Sequence, residues 1–398
     1  MESDGMTDYG LQKVRDYYRV RADINLDAVC HNICEIKKRL NPGVQTAAVV
    51  KADAYGHGAL PVAKAVYEEA DWFMVSNIEE AMELREGGIE KPVLTLGYTA
   101  PSQLEEAILN GITLTLCDTE SAEEISAAAQ RLQKTAQVHI KVDTGMGRIG
   151  FPAEEAFAVL AAEAAKLPNI LPTGVYTHFA CADEADKSAT GLQYEKFLAF
   201  LAVLKRQGLT GLLRHAENSA AILELPEYQL DMVRLGISLY GMYPSDEATP
   251  KEIKLQPAME LKSHVTFLKT VPAGTGISYN ATYVTKEPRR IATVPVGYGD
   301  GYPRALSNCG RVLIHGKFVP IVGRVCMDQM MLDVSEVPET ERGDTVTLLG
   351  VDGTERITAE EIGALSHSFH YEMVCNVGKR IPRIYYQKGE AVGARHFV

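Results

Sequence analysis

A lysine stands where an apolar segment stops and a glycine-containing turn starts, in Val49-Val50-Lys51-Ala52-Asp53-Ala54-Tyr55-Gly56-His57-Gly58. The preceding residues 47–50 are small and apolar, as is typical of a parallel strand buried on both faces. Low-dielectric surroundings disfavour the ammonium form and let an amine act as a nucleophile or a Schiff-base partner. Lys51 is therefore the first candidate catalytic residue. The alternative is a lysine that ends a strand and extends into solvent.

The composition indicates a globular chain with more than one domain. Its 398 residues exceed what one hydrophobic core usually supports, and 46% of them are hydrophobic and 23% charged. No run approaches the ~18 apolar residues of a membrane span. The acidic N-terminus lacks the apolar core of a secretory signal, so we predict a cytoplasmic protein. A net charge of -12 argues against nucleic-acid or membrane partners.

The seven cysteines include no CxxC pair, and reduced thiols are the natural interpretation in that compartment. Cys30 and Cys34 lie one helical turn apart, a spacing that a metal or redox pair also uses. We favour two small buried residues there and predict no metal site.

Eight short apolar runs alternate with segments of helical period, which predicts an α/β fold with a parallel sheet. Eight such units close into a TIM barrel, the (β/α)8 fold. An open doubly wound sheet is the rival, but the Gly-x-Gly-x-x-Gly turn expected for it is absent. The runs are residues 45–50, 72–76, 92–96, 113–117, 136–142, 173–178, 212–216 and 232–237.

After about residue 250 the sequence becomes β-branched, alternating and broken by glycine turns, which indicates a mostly-β domain. We predict a barrel domain over residues 1–250, whose N-terminal strand packs on the β domain, and a C-terminal β domain over residues 251–398. One short helix is predicted within residues 358–369.

Chemistry in such a barrel gathers at the carboxyl ends of the strands, and five of the predicted strand ends carry polar residues. Each of these polar residues also has a purely structural alternative role. Asp143 could cap a turn, His178 could be a core imidazole, and Arg234 could form an ion pair. The polar strand ends hold Lys51, Lys141, Asp143, Arg148, His178, Asn218, Ser219 and Arg234. Ser219 begins a short helix, and Gly236 with Ile237 can present N–H groups to a phosphate. A phosphate-bearing cofactor beside a buried lysine suggests pyridoxal 5'-phosphate linked to Lys51.

The motifs AVVKADAYGHG, KVDTGMGRIG, THFACADE, NSAA, RLGISLYG, ISYNATY, VGYGDGYPR and VGRVCMDQ, in this order, resemble those of the bacterial alanine racemase family. The resemblance runs from about residue 20 to residue 386. It implies a pyridoxal phosphate enzyme that interconverts L-alanine and D-alanine with two bases and supplies D-alanine for peptidoglycan.

The resemblance also assigns roles. Lys51 carries the cofactor and is one base, and Tyr279 is the other, made effective by the positive neighbours His178 and Arg234. Arg234 faces the pyridine nitrogen, Arg148 the phenolate oxygen, and Lys141 is carbamylated in some relatives. Residues implied to contact the cofactor further include Tyr55, Asn218, Ser219, Gly236, Ile237 and Tyr371.

The substrate side is implied to come from the β domain, where Met327 N–H and Arg324 hold the carboxylate and Tyr298 and Asp328 shape the entrance. In a homodimer with shared sites, Tyr279, Tyr298, Met327 and Asp328 act on the partner's barrel. Several alternatives stay open: a serine or broad-specificity racemase, a non-catalytic pyridoxal phosphate carrier, a decarboxylase, or a cofactor-free aldolase. Arg234 argues against the decarboxylase, and the β domain argues against the carrier.

Overall fold

The computed structural model describes residues 19–245 and 253–396. This part of the chain divides into two compact units. The barrel unit comprises residues 28–54 and 59–256, and the β unit comprises residues up to 27, residues 55–58 and residues from 257 onward. The predicted boundary between residues 250 and 251 lies outside the described residues, as does most of the N-terminal segment used to predict a cytoplasmic location.

Eight parallel strands form the barrel, and all eight predicted strand positions are confirmed. A ninth, two-residue strand, Phe151–Pro152, pairs with the fifth. Each strand pairs with the next along the chain up to the seventh, and the eighth pairs with the first. Strand residues such as Phe73, Met74 and Val75 are fully buried, as both faces of a parallel sheet should be. The strands, numbered first to eighth, are Gln45–Val49, Trp72–Val75, Val93–Thr95, Ile112–Leu116, Ala136–Asp143, Ile170–Tyr176, Leu213–His215 and Met232–Leu235.

Two hydrogen bonds join the seventh and eighth strands and nearly close the barrel. Asp231 N–H donates to Arg214 O at 3.0 Å, and Arg234 N–H donates to Glu217 O at 3.2 Å. The second bond lies at the carboxyl end, so it brings two of the predicted polar strand ends together.

Helices follow most of the strands, and several of them begin at a polar side chain that caps the first turn. Asn77 accepts from Glu80 N–H, Asp118 forms a capping box with Ser121, and Asn218 accepts from Ala221 N–H. The helices are Leu26–Lys37, Ala59–Ala65, Ile78–Glu86, Leu104–Leu109, Thr119–Leu132, Glu155–Ala164, Ser188–Arg206 and Ser219–Glu224. In the described part of the chain, none is long and apolar enough to cross a membrane.

The β unit includes the N-terminal strand Val20–Asn25, which pairs antiparallel with Met259–His264 and parallel with Arg383–Gln387. Alternate residues of this strand are buried, so one of its faces belongs to the core of the β unit. The other strands are Phe267–Val271, Gly276–Ile277, Tyr283–Val284, Arg289–Val294, Arg311–Ile314, Lys317–Pro320, Met330–Asp333, Thr345–Asp352, Glu355–Ile357 and Glu390–Arg395.

Two helices lie in the β unit, where the sequence predicts one within residues 358–369. The first is Ala359–Leu365, capped by Thr358, and the second is His370–Cys375. His367 between them has a φ of 54°, a left-handed conformation that ends the first helix.

Candidate active site

The segment after Lys51 is a left-handed turn built without glycine. Ala52, Asp53, Ala54 and Tyr55 have φ values of 52°, 52°, 53° and 53°. Contact between Cβ and the following carbonyl oxygen makes this conformation cost about 1–2 kcal/mol per residue. Strain of this kind concentrates at functional sites. The half-buried Lys51 therefore starts a segment whose shape the surrounding structure must enforce.

The four basic residues predicted at the strand ends of the barrel unit lie around His178. Burial holds the pKa of His178 well below its ordinary value, and the charges of Arg234, Arg148, Lys141 and Lys51 lower it further. His178 is therefore neutral, because a fifth positive charge is unfavourable here. Of the two positive neighbours expected to act on a tyrosine base, only Arg234 carries a charge.

Lys141 lies on the fifth strand with its side chain in the barrel interior. Its Nζ donates to Val142 O at 2.7 Å, and Nζ lies 5.5 Å from the centre of the Tyr176 ring. Burial lowers the pKa of Lys141 to about 8, with a further decrease from Arg234 that Asp143 partly opposes. The neutral amine, the form that can act as a nucleophile, is therefore populated near pH 8.

Arg234 is buried and fully engaged by acceptors at the strand ends. Its Nη2 donates to Thr177 O at 2.8 Å, to Ala216 O at 2.7 Å and to His178 Nδ1 at 3.2 Å. Its Nη1 donates to His215 Nδ1 at 3.0 Å. Burial lowers the pKa of Arg234 to about 10, so the guanidinium stays charged at pH 7.

Two buried imidazoles extend the contacts of Arg234 across the barrel interior. His215 Nε2 lies 2.9 Å from His139 Nδ1, and burial lowers the pKa of His139 to about 3 and that of His215 well below its ordinary value. Because a guanidinium only donates, His215 accepts at Nδ1 and carries its proton on Nε2, which donates to His139. This sequence of bonds fixes the orientation of Arg234.

Several buried polar residues of the site escaped prediction from the sequence. Tyr176 stacks on His215 with ring centres 4.8 Å apart, and its pKa is raised to about 12 by burial. Tyr176 and His139 each lie two residues before a predicted strand-end residue, His178 and Lys141. The two-residue period of a strand places such pairs on one face, and that signal would have found them.

Glu217 is also buried, and neither of its carboxylate oxygens has a hydrogen-bond partner among the described residues. Burial raises the pKa of Glu217 to about 8; Arg234 opposes the rise and Glu227 adds to it. The carboxyl group is thus mostly protonated at pH 7, an acid held neutral inside the barrel.

The seventh and eighth strand ends meet around the Ser219 hydroxyl. Ser219 Oγ accepts from Gly236 N–H at 3.0 Å and from Ser238 N–H at 3.3 Å, and it receives the Ser238 hydroxyl at 3.0 Å. Asn218 caps the helix that starts at Ser219, and Ile237 begins the next turn. Ser219, Gly236 and Ile237, predicted to hold a phosphate, are therefore adjacent to one another and to Asn218.

Asp143 organises the loop that carries Arg148. Its carboxylate accepts from the N–H groups of Gly145, Gly147 and Arg148 at 2.9, 3.0 and 3.2 Å. Partial burial tends to raise the pKa of Asp143, but the bonds from Gly147 and Gly145 outweigh it and lower the pKa. The alternative role of a turn cap is confirmed for Asp143, while the Arg148 side chain is exposed.

The substrate-side residues predicted from the β domain lie on exposed loops of the β unit. Tyr279 is 68% exposed, Met327 53% and Tyr298 42%. Tyr279 lies in a strained turn, since Ser278 and Asn280 have φ values of 64° and 62°. This turn is held because the Ser278 hydroxyl donates to Arg324 O at 2.7 Å.

The loops of Tyr298 and Met327 are joined by backbone hydrogen bonds. Tyr298 N–H donates to Cys326 O at 3.0 Å and Gly299 N–H to Met327 O at 2.9 Å. Arg380, which the sequence did not indicate, bridges both loops by donating to Asp300 at 2.8 Å and to Asp328 at 2.6 Å. Arg324 Nε is buried and has no hydrogen-bond partner among the described residues.

Tyr55 and Tyr371 come together within the β unit, with ring centres 6.2 Å apart. Tyr55 is buried, and burial raises the pKa of its phenol. Gly56 follows with a φ of 82°, and a Cβ there would lie 2.2 Å from Val374 O. Only glycine fits here, because the backbone approaches closely and adopts a positive φ.

The chain matches known proteins over nearly its whole length. The family model described as "Alanine racemase, N-terminal domain" matches residues 24–244, and "Alanine racemase, C-terminal domain" matches residues 258–385. An alanine racemase of Methanococcus maripaludis is 48% identical over 365 residues, 92% of this chain and 98% of that protein. One of Desulforamulus reducens is 49% identical over 366 residues, with 92% and 98% covered.

Solved structures agree with these relatives. Alanine racemase of Clostridium difficile 630 superposes with a TM-score of 0.91 at 40% identity, covering 96% of this chain and 99% of that chain. The fold and these comparisons define an isomerase, an amino-acid racemase built on a TIM barrel with a C-terminal β domain. The chain belongs to the alanine racemase family. The predicted fold class and enzyme class are confirmed.

Proposed function

We propose that this chain interconverts L-alanine and D-alanine, using pyridoxal 5'-phosphate bound to Lys51. The observation that carries the proposal is the group of four basic residues, Lys51, Lys141, Arg148 and Arg234, around one neutral imidazole. Such a surplus of positive charge in a barrel interior suits a cofactor that bears a phosphate and a phenolate. When bound, the cofactor supplies the electron withdrawal that acidifies the Cα–H bond of the amino acid.

The adjacent Asn218, Ser219, Gly236 and Ile237 would hold the phosphate group. The Ser219 hydroxyl already gathers two backbone N–H groups, and a hydroxyl with nearby amides is a favourable anion site. Tyr55 and Tyr371 stay predicted phosphate ligands, and Arg148 stays the predicted ligand of the phenolate oxygen.

Arg234 would face the pyridine nitrogen. A guanidinium is a donor only, so it leaves that nitrogen without a proton, and return of a proton to Cα is favoured over other fates. The bonds from Arg234 to His215 and to two backbone carbonyls support a fixed orientation for this contact.

Lys51 and Tyr279 would exchange protons with Cα on opposite faces. Racemisation needs two groups, because return of the proton to the face it left restores the original isomer. A phenol has an ordinary pKa near 10, so a tyrosine base needs a stabilising partner. His178 fits that role as a donor, since its Nδ1 accepts from Arg234 and its proton therefore lies on Nε2.

The substrate carboxylate would be held by Met327 N–H and Arg324. The buried, unpartnered Nε of Arg324 supports an anion there. Tyr298 and Asp328 would shape the entrance, and Arg380 keeps their loops together.

We propose further that the protein is a homodimer in which Tyr279, Tyr298, Met327 and Asp328 serve the partner's barrel. Tyrosine and methionine side chains exposed on adjacent loops support an interface at this surface. A cytoplasmic location, carbamylation of Lys141 and supply of D-alanine for peptidoglycan complete the proposal.

The test is to purify the protein with pyridoxal 5'-phosphate and to follow formation of each D-isomer from L-alanine and from L-serine. We expect visible absorbance of the bound cofactor and turnover of L-alanine, with L-serine slower. Lys51→Ala is the matched control and should bind no cofactor covalently. A protein that binds the cofactor but racemises neither amino acid contradicts the proposal, and faster turnover of L-serine assigns the chain to the serine alternative.

A further inference from the structure

The left-handed residues 52–55 include no glycine, and a backbone hydrogen bond from Ala54 N–H to Val50 O at 2.9 Å spans the start of the turn. The first strand runs parallel to the second, and Val50 N–H makes the last bond between them, to Met74 O at 2.9 Å. Beyond that bond the two strands end, and the N–H groups of Ala52 and Ser76 follow at the same edge of the barrel.

The carboxylate of Glu80 bridges these two strand ends. Its Oε1 accepts from Ala52 N–H at 2.7 Å, and its Oε2 accepts from Ser76 N–H at 2.7 Å. Hydrogen bonds from N–H groups to an ionised carboxylate are among the short and strong ones. Glu80 thereby replaces the backbone bond that the strands no longer make and ties the residue after Lys51 to the second strand.

The position of Glu80 is itself set by the local structure. It lies in the first turn of the helix Ile78–Glu86, and its own N–H donates to the helix cap Asn77 at 3.0 Å. The far side of the left-handed turn is held separately, since Asp53 accepts from Ala59 N–H at 2.9 Å. At the start of the turn, next to Lys51, the Ala52 N–H is held by Glu80, in addition to the backbone bond from Ala54 to Val50.

We propose that Glu80 is a positioning residue that fixes the backbone at Ala52 and so aims the Lys51 amine. The inference rests on the proposed function for its effect on catalysis, but the backbone claim stands without it. A base that moves by about 1 Å loses about 100-fold in rate, so loss of the bridge should lower kcat strongly.

The test uses Glu80→Ala, Glu80→Gln and the control Glu79→Gln, each as the full-length protein. Glu79 is the neighbouring acid on the same helix, and its side chain accepts from Gln103 instead. Hydrogen exchange of the Ala52 and Ser76 amides is measured first, without any ligand. We expect exchange to be faster by about tenfold or more in Glu80→Ala, as expected when a strong hydrogen bond is lost.

Kinetics with pyridoxal 5'-phosphate and L-alanine follow on the same three proteins. We expect kcat of Glu80→Ala to fall about 10- to 100-fold with KM changed little, because substrate contacts stay intact. The kcat of Glu80→Gln should lie between those of the wild type and Glu80→Ala. Its amide keeps one oxygen acceptor but presents an NH2 group to the other backbone N–H. Glu79→Gln should match the wild type.

Unchanged exchange and unchanged kcat in Glu80→Ala, equal to those of Glu79→Gln, would overturn the inference. If the wild type does not racemise alanine, the proposed function fails, and the exchange data still decide whether Glu80 holds the turn. Should Glu80→Ala not fold, Glu80→Gln supplies the same comparison through its exchange rates and through the absorbance of bound cofactor.

Discussion

The candidate site residues of the barrel unit and those of the β unit differ in how far a single chain buries and supports them. In the barrel unit, Arg234 and Lys141 are buried and hydrogen-bonded, and the half-buried His178 accepts from Arg234. In the β unit, Tyr279, Tyr298 and Met327 are exposed on loops joined by backbone and side-chain hydrogen bonds. The barrel residues are fixed by their own core, whereas the β-unit residues are exposed in a single chain. The proposed homodimer with shared sites would cover this exposed set.

The difference predicts that substitutions of buried polar residues in the barrel unit change the free energy of unfolding strongly. Substitutions of exposed residues in the β unit should change it little and act mainly on activity.

Arg234→Met should have the largest effect. It removes a buried charge and leaves His215, Thr177 O and Ala216 O without their donor, which should destabilise the fold by about 3–5 kcal/mol. Chemical denaturation measures the change. The control Arg206→Met removes an exposed partner of Glu155 and should change stability by less than about 1 kcal/mol. Equal losses in the free energy of unfolding for Arg234→Met and Arg206→Met would contradict the contrast between buried and exposed residues.

Glu217→Gln should stabilise the protein at high pH. The pKa of Glu217 is raised to about 8 in the folded state, so its favourable contribution is complete below about pH 4.5 and is lost as pH rises through 8. At ~1.4 kcal/mol per pH unit, the variant should gain about 3–5 kcal/mol over the wild type between pH 5 and pH 9. Denaturation of both proteins at the two pH values checks this. If the free energies of unfolding of the two proteins differ by the same amount at pH 5 and at pH 9, Glu217 is not buried as a neutral acid.

Arg380→Met should have a moderate effect. Asp300 keeps its bonds from Arg19 and Gly297 N–H, so the loss should be about 1 kcal/mol. Because the loops of Tyr298 and Met327 lose their bridge, KM for alanine should rise more than kcat falls. The neighbouring exposed Lys379→Met is the control. A fall in kcat with KM unchanged would argue against a role in substrate binding.

Tyr279→Phe should have the smallest effect on stability, within about 0.5 kcal/mol, because the side chain is mostly exposed. Racemase activity should nevertheless fall by at least about 100-fold through loss of the second base. The control Tyr98→Phe alters another exposed tyrosine, in the barrel unit, and should leave activity unchanged. Stability and D-alanine formation are measured on the same preparations.

The barrel was predictable because each strand is a short apolar run and each helix has its own period and cap, all local signals. Residues that terminate strands, such as Lys51 and Arg234, followed from the rule that chemistry gathers there. His215, Tyr176 and Glu217 were missed although they lie on or next to the same strands, because the prediction considered only the residues at the strand ends and did not follow the two-residue period back along each strand.

The contacts of Glu80 and Arg380 could not be predicted from the sequence, for a different reason. Each bridges segments that are distant along the chain, Glu80 with Ala52 and Arg380 with Asp300 and Asp328. The left-handed turn was also hidden, since its residues Ala52, Asp53 and Ala54 have no intrinsic preference for positive φ strong enough to predict it. The β-unit site residues came from resemblance, because Met327 and Tyr279 are ordinary surface residues by chemistry alone.

Complementation between inactive chains tests the central claim most directly. Lys51→Ala chains are mixed with Tyr279→Ala chains, and heterodimers are verified with two affinity tags. If each site combines Lys51 of one chain with Tyr279 of its partner, one of the two sites in every heterodimer is intact. Random reassortment should then restore about a quarter of the wild-type activity. Verified heterodimers with no more activity than either parent would contradict shared sites.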